Sequence, residues 1–252
     1  LQEGFATYYA LLAEQSVFGD DYFYYSLYEN AEQLNRASKK DSIPVLNEKA
    51  SSLTFYQKGA WALHVLRESI GKEKFNLAVK NYLYKYAFQN VITDDFLAEI
   101  NKISDFDTQN FKKKWLEQSE FPEAKVQALL MKNDFMKKFL KLKNQPLSIE
   151  KNQKEIIKII KGKDYYPIKE LLLYQIASEP FEVKSKILTT ALQTKDLHVR
   201  QAIAASLQEI PESFRTQFET LLNDKSYTTQ EIALYKLWKQ FPEQRLNYIN
   251  LS

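Results

Sequence analysis

Two histidines, no cysteine and five glycines limit the chemistry open to this 252-residue chain. Without cysteine there is no disulfide framework, no thiolate metal site and no cysteine nucleophile. That leaves a cytoplasmic and an exported compartment equally open. A catalytic zinc needs three protein ligands and one open position for water. His64 lies in Ala62-Leu63-His64-Val65-Leu66 with no second histidine four residues away, so it reads as a packed helical histidine. His198 reads the same way. So few glycines argue against phosphate-cradling loops and against a turn-dense β-sandwich. What remains is a carboxylate and a phenol. Glu3 sits in Leu1-Gln2-Glu3-Gly4-Phe5-Ala6, and Tyr56 in Phe55-Tyr56-Gln57-Lys58-Gly59-Ala60. Taken alone, Glu3 is an acidic residue in the first turn of a helix, where it complements the macrodipole. Tyr56, taken alone, is one of 16 tyrosines.

Three segments in order carry a resemblance. Leu1 to Ala6 resembles the L-N-E-G-F-A stretch of the aminopeptidase N family of gluzincin metallopeptidases. Phe55 to Ala60 is similar to that family's Y-x-K-G-A segment, 53 residues after Glu3. Trp115-Leu116-Glu117-Gln118, followed by Phe121-Pro122, resembles the W-x-x-Q-x-G-x-P stretch that closes the family's catalytic domain. The resemblance covers about residues 1–122 and implies the helical C-terminal lobe of a thermolysin-like catalytic domain. It implies that Glu3 is the third protein ligand of a catalytic Zn2+ and also touches the substrate's α-amino group. It implies that Tyr56 hydrogen-bonds the oxyanion formed at the scissile carbonyl. The parent would hydrolyse N-terminal residues from peptides. The H-E-x-x-H histidines, the general-base glutamate within that motif and the family's G-x-M-E-N segment do not occur in this chain. The chain alone is therefore expected not to hold zinc and to be inactive. Its missing partner would be the N-terminal half of the same protein. Gln2 replaces the usual asparagine before the ligand, and Ala10 stands where many relatives carry an acid.

The elements around these residues read as helices. Leu1 to Phe18 keeps helical spacing of apolar residues and stops at Gly19-Asp20, and an aromatic-rich helix follows from Asp21 to about Ala37. Residues 38–53 are polar and contain Ser42-Ile43-Pro44, a loop signal. Thr54 to Ile70 opens at the Tyr56 segment and is stopped by Gly71. Lys72 to Tyr86 is the next helix. Thr93-Asp94 is expected to cap another through Lys102, and Asp105 to Gln118 completes the first half. Lys125 to Leu130 is the one segment with the pattern of a possible strand.

The second half carries a repeat. Pro180, Pro211 and Pro242 are each 31 residues apart, and apolar residues align on them: Ile187 with Phe218 and Ile249, Leu207 with Trp238, Ile210 with Phe241. One period back, Ile156, Ile160, Leu172 and Ile176 take the same slots. A period near 30 with two helices per unit is the signature of an α-solenoid. Asp196-Leu197-His198-Val199-Arg200 followed by Ala202 looks like the turn of HEAT repeats. The expected fold class is all-α, with residues 1–122 as the helical part of a metallopeptidase domain and residues 123–252 as a HEAT-like domain. The chain is expected to be an excised piece of a longer protein.

Composition narrows the alternatives. Hydrophobic residues make up 44 % of the chain, as in a globular protein. No apolar run approaches the ~18 residues that span a bilayer, and no basic n-region of a signal peptide is visible. Residues 1–120 carry 14 Lys/Arg against 17 Asp/Glu, and residues 121–252 carry 21 against 15, a change of sign that supports a domain boundary near Phe121-Pro122. The basic half lacks arginine runs interleaved with aromatics, so nucleic acid is not expected as a partner. The competing function is a non-catalytic α-helical, HEAT-like scaffold that binds another protein.

Overall fold

The computed structural model describes residues 1–38 and 43–251. Ser42, where the Ser-Ile-Pro loop signal opens, lies outside the described residues. Among the described residues every regular element is helical, and no helix is long and apolar enough to cross a membrane. The chain forms two compact units, residues 1–136 and 137–252.

The first unit is built around one helix. Helix α1 (Gln2–Phe18) ends at Gly19, where φ is +88°, and α2 (Asp20–Ser38) follows at once. One π-helical turn (Thr54–Lys58) then leads into α3 (Gly59–Ile70). Glycine ends α1 because a side chain is strained at positive φ. Helix α3 is buried from Gly59 through Leu66, as expected of a helix apolar on nearly all sides. It lies against α1, against α4 (Lys72–Lys85) and against a second π-helical segment, Lys112–Glu117. Trp61, Leu63 and Leu66 are fully enclosed, each contributing roughly 1.5–3 kcal/mol by leaving water. The indole N–H of Trp61 donates to the Leu27 carbonyl at 3.2 Å and so ties α2 to the same centre.

One local expectation changes. Helix α5 (Thr93–Asn101) is capped at Ile92, not by Thr93-Asp94, because the Asp95 carboxylate reaches back to accept the Ile92 N–H at 2.9 Å. After α6 (Thr108–Phe111), capped by Asp107, comes the Lys112–Glu117 segment and then α7 (Glu123–Leu130). Lys125 to Leu130, the one segment that could have formed a strand, is thus helical, in keeping with the all-α expectation. Val126, Leu129 and Leu130 share its buried side at three- and four-residue steps, packed toward α2.

The division between units falls within α8 (Asp134–Asn144). The second unit continues with α9 (Ile149–Lys161), α10 (Tyr166–Gln175), α11 (Phe181–Leu192), α12 (Leu197–Ser206), α13 (Glu212–Glu219), α14 (Tyr227–Gln240) and α15 (Arg245–Leu251). Alternate helices lie side by side: α9 with α11, α10 with α12, α12 with α14. The aligned apolar slots are buried at Ile156, Ile160, Leu172, Ile176, Ile187, Leu207, Ile210, Phe218 and Phe241. They are not buried at Trp238 and Ile249, which are 39 % and 57 % exposed. The Trp238 ring instead takes the Arg245 guanidinium 3.9 Å from its centroid.

A second periodic feature is not legible in the apolar pattern. Lys138, Lys169 and Arg200 are spaced by 31 residues, and each pairs with an acid further along: Lys138 with Asp164 at 2.6 Å, Lys169 with Asp196 at 3.0 Å, and Arg200 with Asp224. Asp196 also caps α12 by accepting the His198 N–H at 3.1 Å. The pairs differ in depth. The Asp224 side chain is 2 % exposed, whereas Lys138 and Asp164 are 41 % and 26 % exposed. Removing one partner of a buried pair costs about 3–5 kcal/mol, and an exposed pair is worth about 0–1 kcal/mol. Arg200→Met is therefore expected to lower the free energy of unfolding several times more than Lys138→Met. Urea melts of the two variants check this; equal costs would mean the Asp224 carboxylate is not left stranded.

Candidate functional site

The two motif residues of the sequence, 53 positions apart, meet in the first unit. The Glu3 carboxylate acts on the Tyr56 hydroxyl, as a hydrogen-bond acceptor and through its negative charge, and holds the phenol pKa above its ordinary value. Tyr56 is 42 % exposed, so its hydroxyl is open to solvent and to any ligand.

The approach is set by the glycine that follows in each motif. A Cβ built on Gly4 would stand 2.6 Å from the Gly59 carbonyl carbon and 2.7 Å from its Cα. A Cβ on Gly59 would stand 2.9 Å from the Gly4 Cα. The backbones of α1 and α3 therefore touch, and no residue larger than glycine fits either position without moving a helix. Gly4, Tyr8 and Leu11 are the buried residues of α1, and their spacing marks the face turned to α3. The Thr54–Lys58 turn shapes the other side. The Gly59 N–H reaches back five residues to the Thr54 carbonyl, a widened turn of the kind that recurs at functional sites.

Lys58 is a residue to which the sequence alone gives no role. It is 2 % exposed, and its ammonium donates to the carbonyls of Gln118, Ser119 and Glu120 at 2.7, 2.9 and 3.0 Å. Trp61, one helical turn on, packs edge-on to Phe121, which in turn meets Trp115. The third motif is thereby fastened to the second. A signal for this does exist in the sequence: a lysine placed at i, i+3 with Trp61 lies on the buried face of an apolar helix, where a charge needs several partners.

The histidines do not join Glu3. His64 is 1 % exposed and enclosed by Tyr8, Phe23, Tyr24 and Trp61. Its Nδ1 lies 3.1 Å from the Tyr8 hydroxyl, its Nε2 has no hydrogen-bond partner, and burial lowers its pKa to about 4. It is packed, as its spacing implied. His198 is not: half of its side chain is exposed, stacked on Tyr166 with ring centroids 3.6 Å apart. It stands at the first turn of α12 and not inside one, which is why it escapes burial. Among the described residues, no three His, Asp or Glu side chains gather in a way that could hold a metal ion.

Next to the Glu3 turn, α1 also walls an apolar cavity of about 920 Å3. Phe5, Tyr9, Val79, Tyr82, Ile92 and Phe96 line it, and Asp94 and Lys112, 2.7 Å apart, stand at its edge.

Residues 1–115 match the Peptidase family M1 domain. The chain is similar to a glutamyl aminopeptidase of Bos taurus, 36 % identical over 85 residues, which is 34 % of this chain and 9 % of that protein. It is 28 % identical over 131 residues to aminopeptidase M1-D of Oryza sativa subsp. japonica, covering 48 % of this chain and 15 % of that protein. It is 31 % identical over 110 residues to endoplasmic reticulum aminopeptidase 2 of Homo sapiens, covering 40 % and 12 %. The chain thus spans less than a fifth of the length of each of these relatives. No solved structure matches it. The Glu3-Gly4 and Tyr56 segments lie inside the residues that match the Peptidase family M1 domain, and Trp115 stands at their end.

Proposed function

We propose that residues 1–122 are the helical part of the catalytic domain of a zinc-dependent aminopeptidase, and that residues 123–252 form a HEAT-like repeat domain following it. The observation that carries this reading is the contact of two helices at Gly4 and Gly59, which brings the turn bearing Glu3 against the turn bearing Tyr56. In this reading Glu3 is a metal ligand and receives the substrate's α-amino group. Tyr56 donates its hydroxyl to the carbonyl oxygen as negative charge grows there.

The residues present do not by themselves fit a zinc ion. Glu3 is one carboxylate, His64 is enclosed with its Nδ1 on Tyr8, and His198 belongs to the other unit. The histidine ligands and the general base would come from residues outside this sequence, and no catalytic step is assigned to the chain alone. Purified by itself, the chain is expected to carry no stoichiometric zinc and to leave aminoacyl-anilides uncleaved. Metal analysis and an anilide assay check both.

In the longer protein, two substitutions separate the roles. Glu3→Ala is expected to abolish metal retention. Tyr56→Phe is expected to leave zinc and KM nearly unchanged and to lower kcat by about 10²–10³, the typical effect of losing one oxyanion donor. Equal zinc loss in both variants would make Tyr56 a packing residue, and an unchanged kcat would refute its assigned role. A second reading, a non-catalytic scaffold, draws on the 31-residue ion-pair ladder of the second unit. A parent polypeptide lacking H-E-x-x-H would decide for it.

A further inference from the structure

We propose that Lys58 is a positioning residue that sets Tyr56 against Glu3, acting through the chain at Gln118 to Glu120. The proposal rests on the aminopeptidase reading for its purpose, but its geometry is independent of that reading.

Lys58 and Tyr56 are two residues apart on one helical turn, so their side chains leave it on roughly opposite faces. One face is anchored and the other is working. On the anchored face the ammonium has three N–H donors, and three successive carbonyls receive them at 2.7, 2.9 and 3.0 Å. These carbonyls belong to the extended chain that leaves the Lys112–Glu117 segment at Gln118, where no helix ladder occupies them. At 2 % exposure it also loses water as an alternative partner, so the three bonds cannot be exchanged for hydration. A point charge on a flexible stem suits such a cradle, because three donors diverge from one nitrogen, whereas a guanidinium spreads planar donors over several atoms.

The anchor determines how the turn is rotated. Thr54–Lys58 is π-helical and continuous with α3, and Gly59 presses on Gly4. With Gly59 fixed against α1 and Lys58 fixed to Gln118 to Glu120, the turn is held at two points. Tyr56 is carried on the outer side of that turn. Without the ammonium, the Lys58 end of the turn is free to roll. The carbonyl cradle also loses its donors. Tyr56 then keeps its exposure but not its bearing on Glu3.

The test reads the Glu3–Tyr56 contact directly. A fluorotyrosine is incorporated in place of Tyr56, and its fluorine resonance is compared with and without Glu3→Gln. With Lys58 present, Glu3→Gln is expected to shift that resonance. With Lys58→Met, the shift is expected to fall at least several-fold while the far-UV circular dichroism of the unit is retained. If Lys58→Met does not fold, Lys58→Arg decides: a reduced Glu3-dependent shift supports the proposal. A full-sized shift in either folded variant shows that Lys58 is structural only and overturns it. So does the absence of any Glu3-dependent shift with Lys58 in place. None of these readouts uses peptidase activity, so failure of the aminopeptidase reading leaves the result interpretable.

Discussion

Gly4→Ala is expected to lower the free energy of unfolding by about 3 kcal/mol, the upper end of the range for overpacking. Helix propensity alone gives the opposite sign, since alanine is favoured over glycine by about 1 kcal/mol inside a helix. Packing prevails because the new methyl would sit 2.6 Å from a backbone carbon of Gly59 and 2.7 Å from another, where carbon atoms pack best at ~3.5–4.0 Å. Neither neighbour is a side chain that can turn aside. Helix α1 must retreat by roughly 1 Å, and Tyr8 and Leu11, which are on the same face, retreat with it. Gly59→Ala, whose Cβ would meet the Gly4 Cα at 2.9 Å, is expected to cost less. The two costs should not add, because once the helices have parted the second methyl meets open space. Urea midpoints for both single variants and the double variant measure this. A Gly4→Ala protein as stable as the parent would mean that the helices do not touch.

The second large effect follows pH. His64 is buried and neutral, with its folded pKa near 4 against an ordinary value near 6.5. The unfolded chain binds the proton more readily, so stability is lost as the pH falls. The contribution is whole above pH ~6.5, declines through the window below it, and is gone once pH reaches the folded pKa. At about 1.36 kcal/mol for each tenfold change in proton affinity, the loss across that window amounts to about 3 kcal/mol. The charged groups facing the ring partly offset one another. Glu68 favours the imidazolium, while Arg67 and Lys132 oppose it. Burial pushes the Glu68 carboxyl up, but Lys132 and the hydrogen bond it donates outweigh burial and hold the carboxyl below its ordinary range. Its own loss of stabilisation therefore falls at the acid end of the same curve. His64→Phe is expected to flatten the curve between pH 4 and 6.5, since the ring keeps the aromatic packing and has no proton to bind. An equally steep curve in the Phe variant would assign the acid lability to the carboxylates.

Much of this architecture is legible in the sequence, for identifiable reasons. Helix boundaries follow from glycine and apolar period, and Gly19 and Gly71 both stop helices at positive φ. The pairing of Glu3 with Tyr56 is legible only by resemblance, because no local pattern reports a contact across 53 residues. Lys58 escapes notice because a lysine is ordinarily a solvated residue. Its burial depends on carbonyls 60 to 62 residues away. Lys125 to Leu130 is open between strand and helix in the sequence because a short apolar run has no period of its own, and packing toward α2 accompanies its helical state. The ion-pair ladder escapes an alignment made on prolines and apolar slots, because its period is carried by charge.

That ladder bears on how such an array changes over time. Each cation bonds an acid 24 to 27 residues ahead, across the join with the next unit. A loss or duplication of one whole 31-residue cassette leaves every cation facing an acid, because Lys169 then stands where Arg200 stood. The acids follow at 26, 27 and 24 residues, so the joins already absorb small differences in length, and what keeps the strict 31-residue step is the cation.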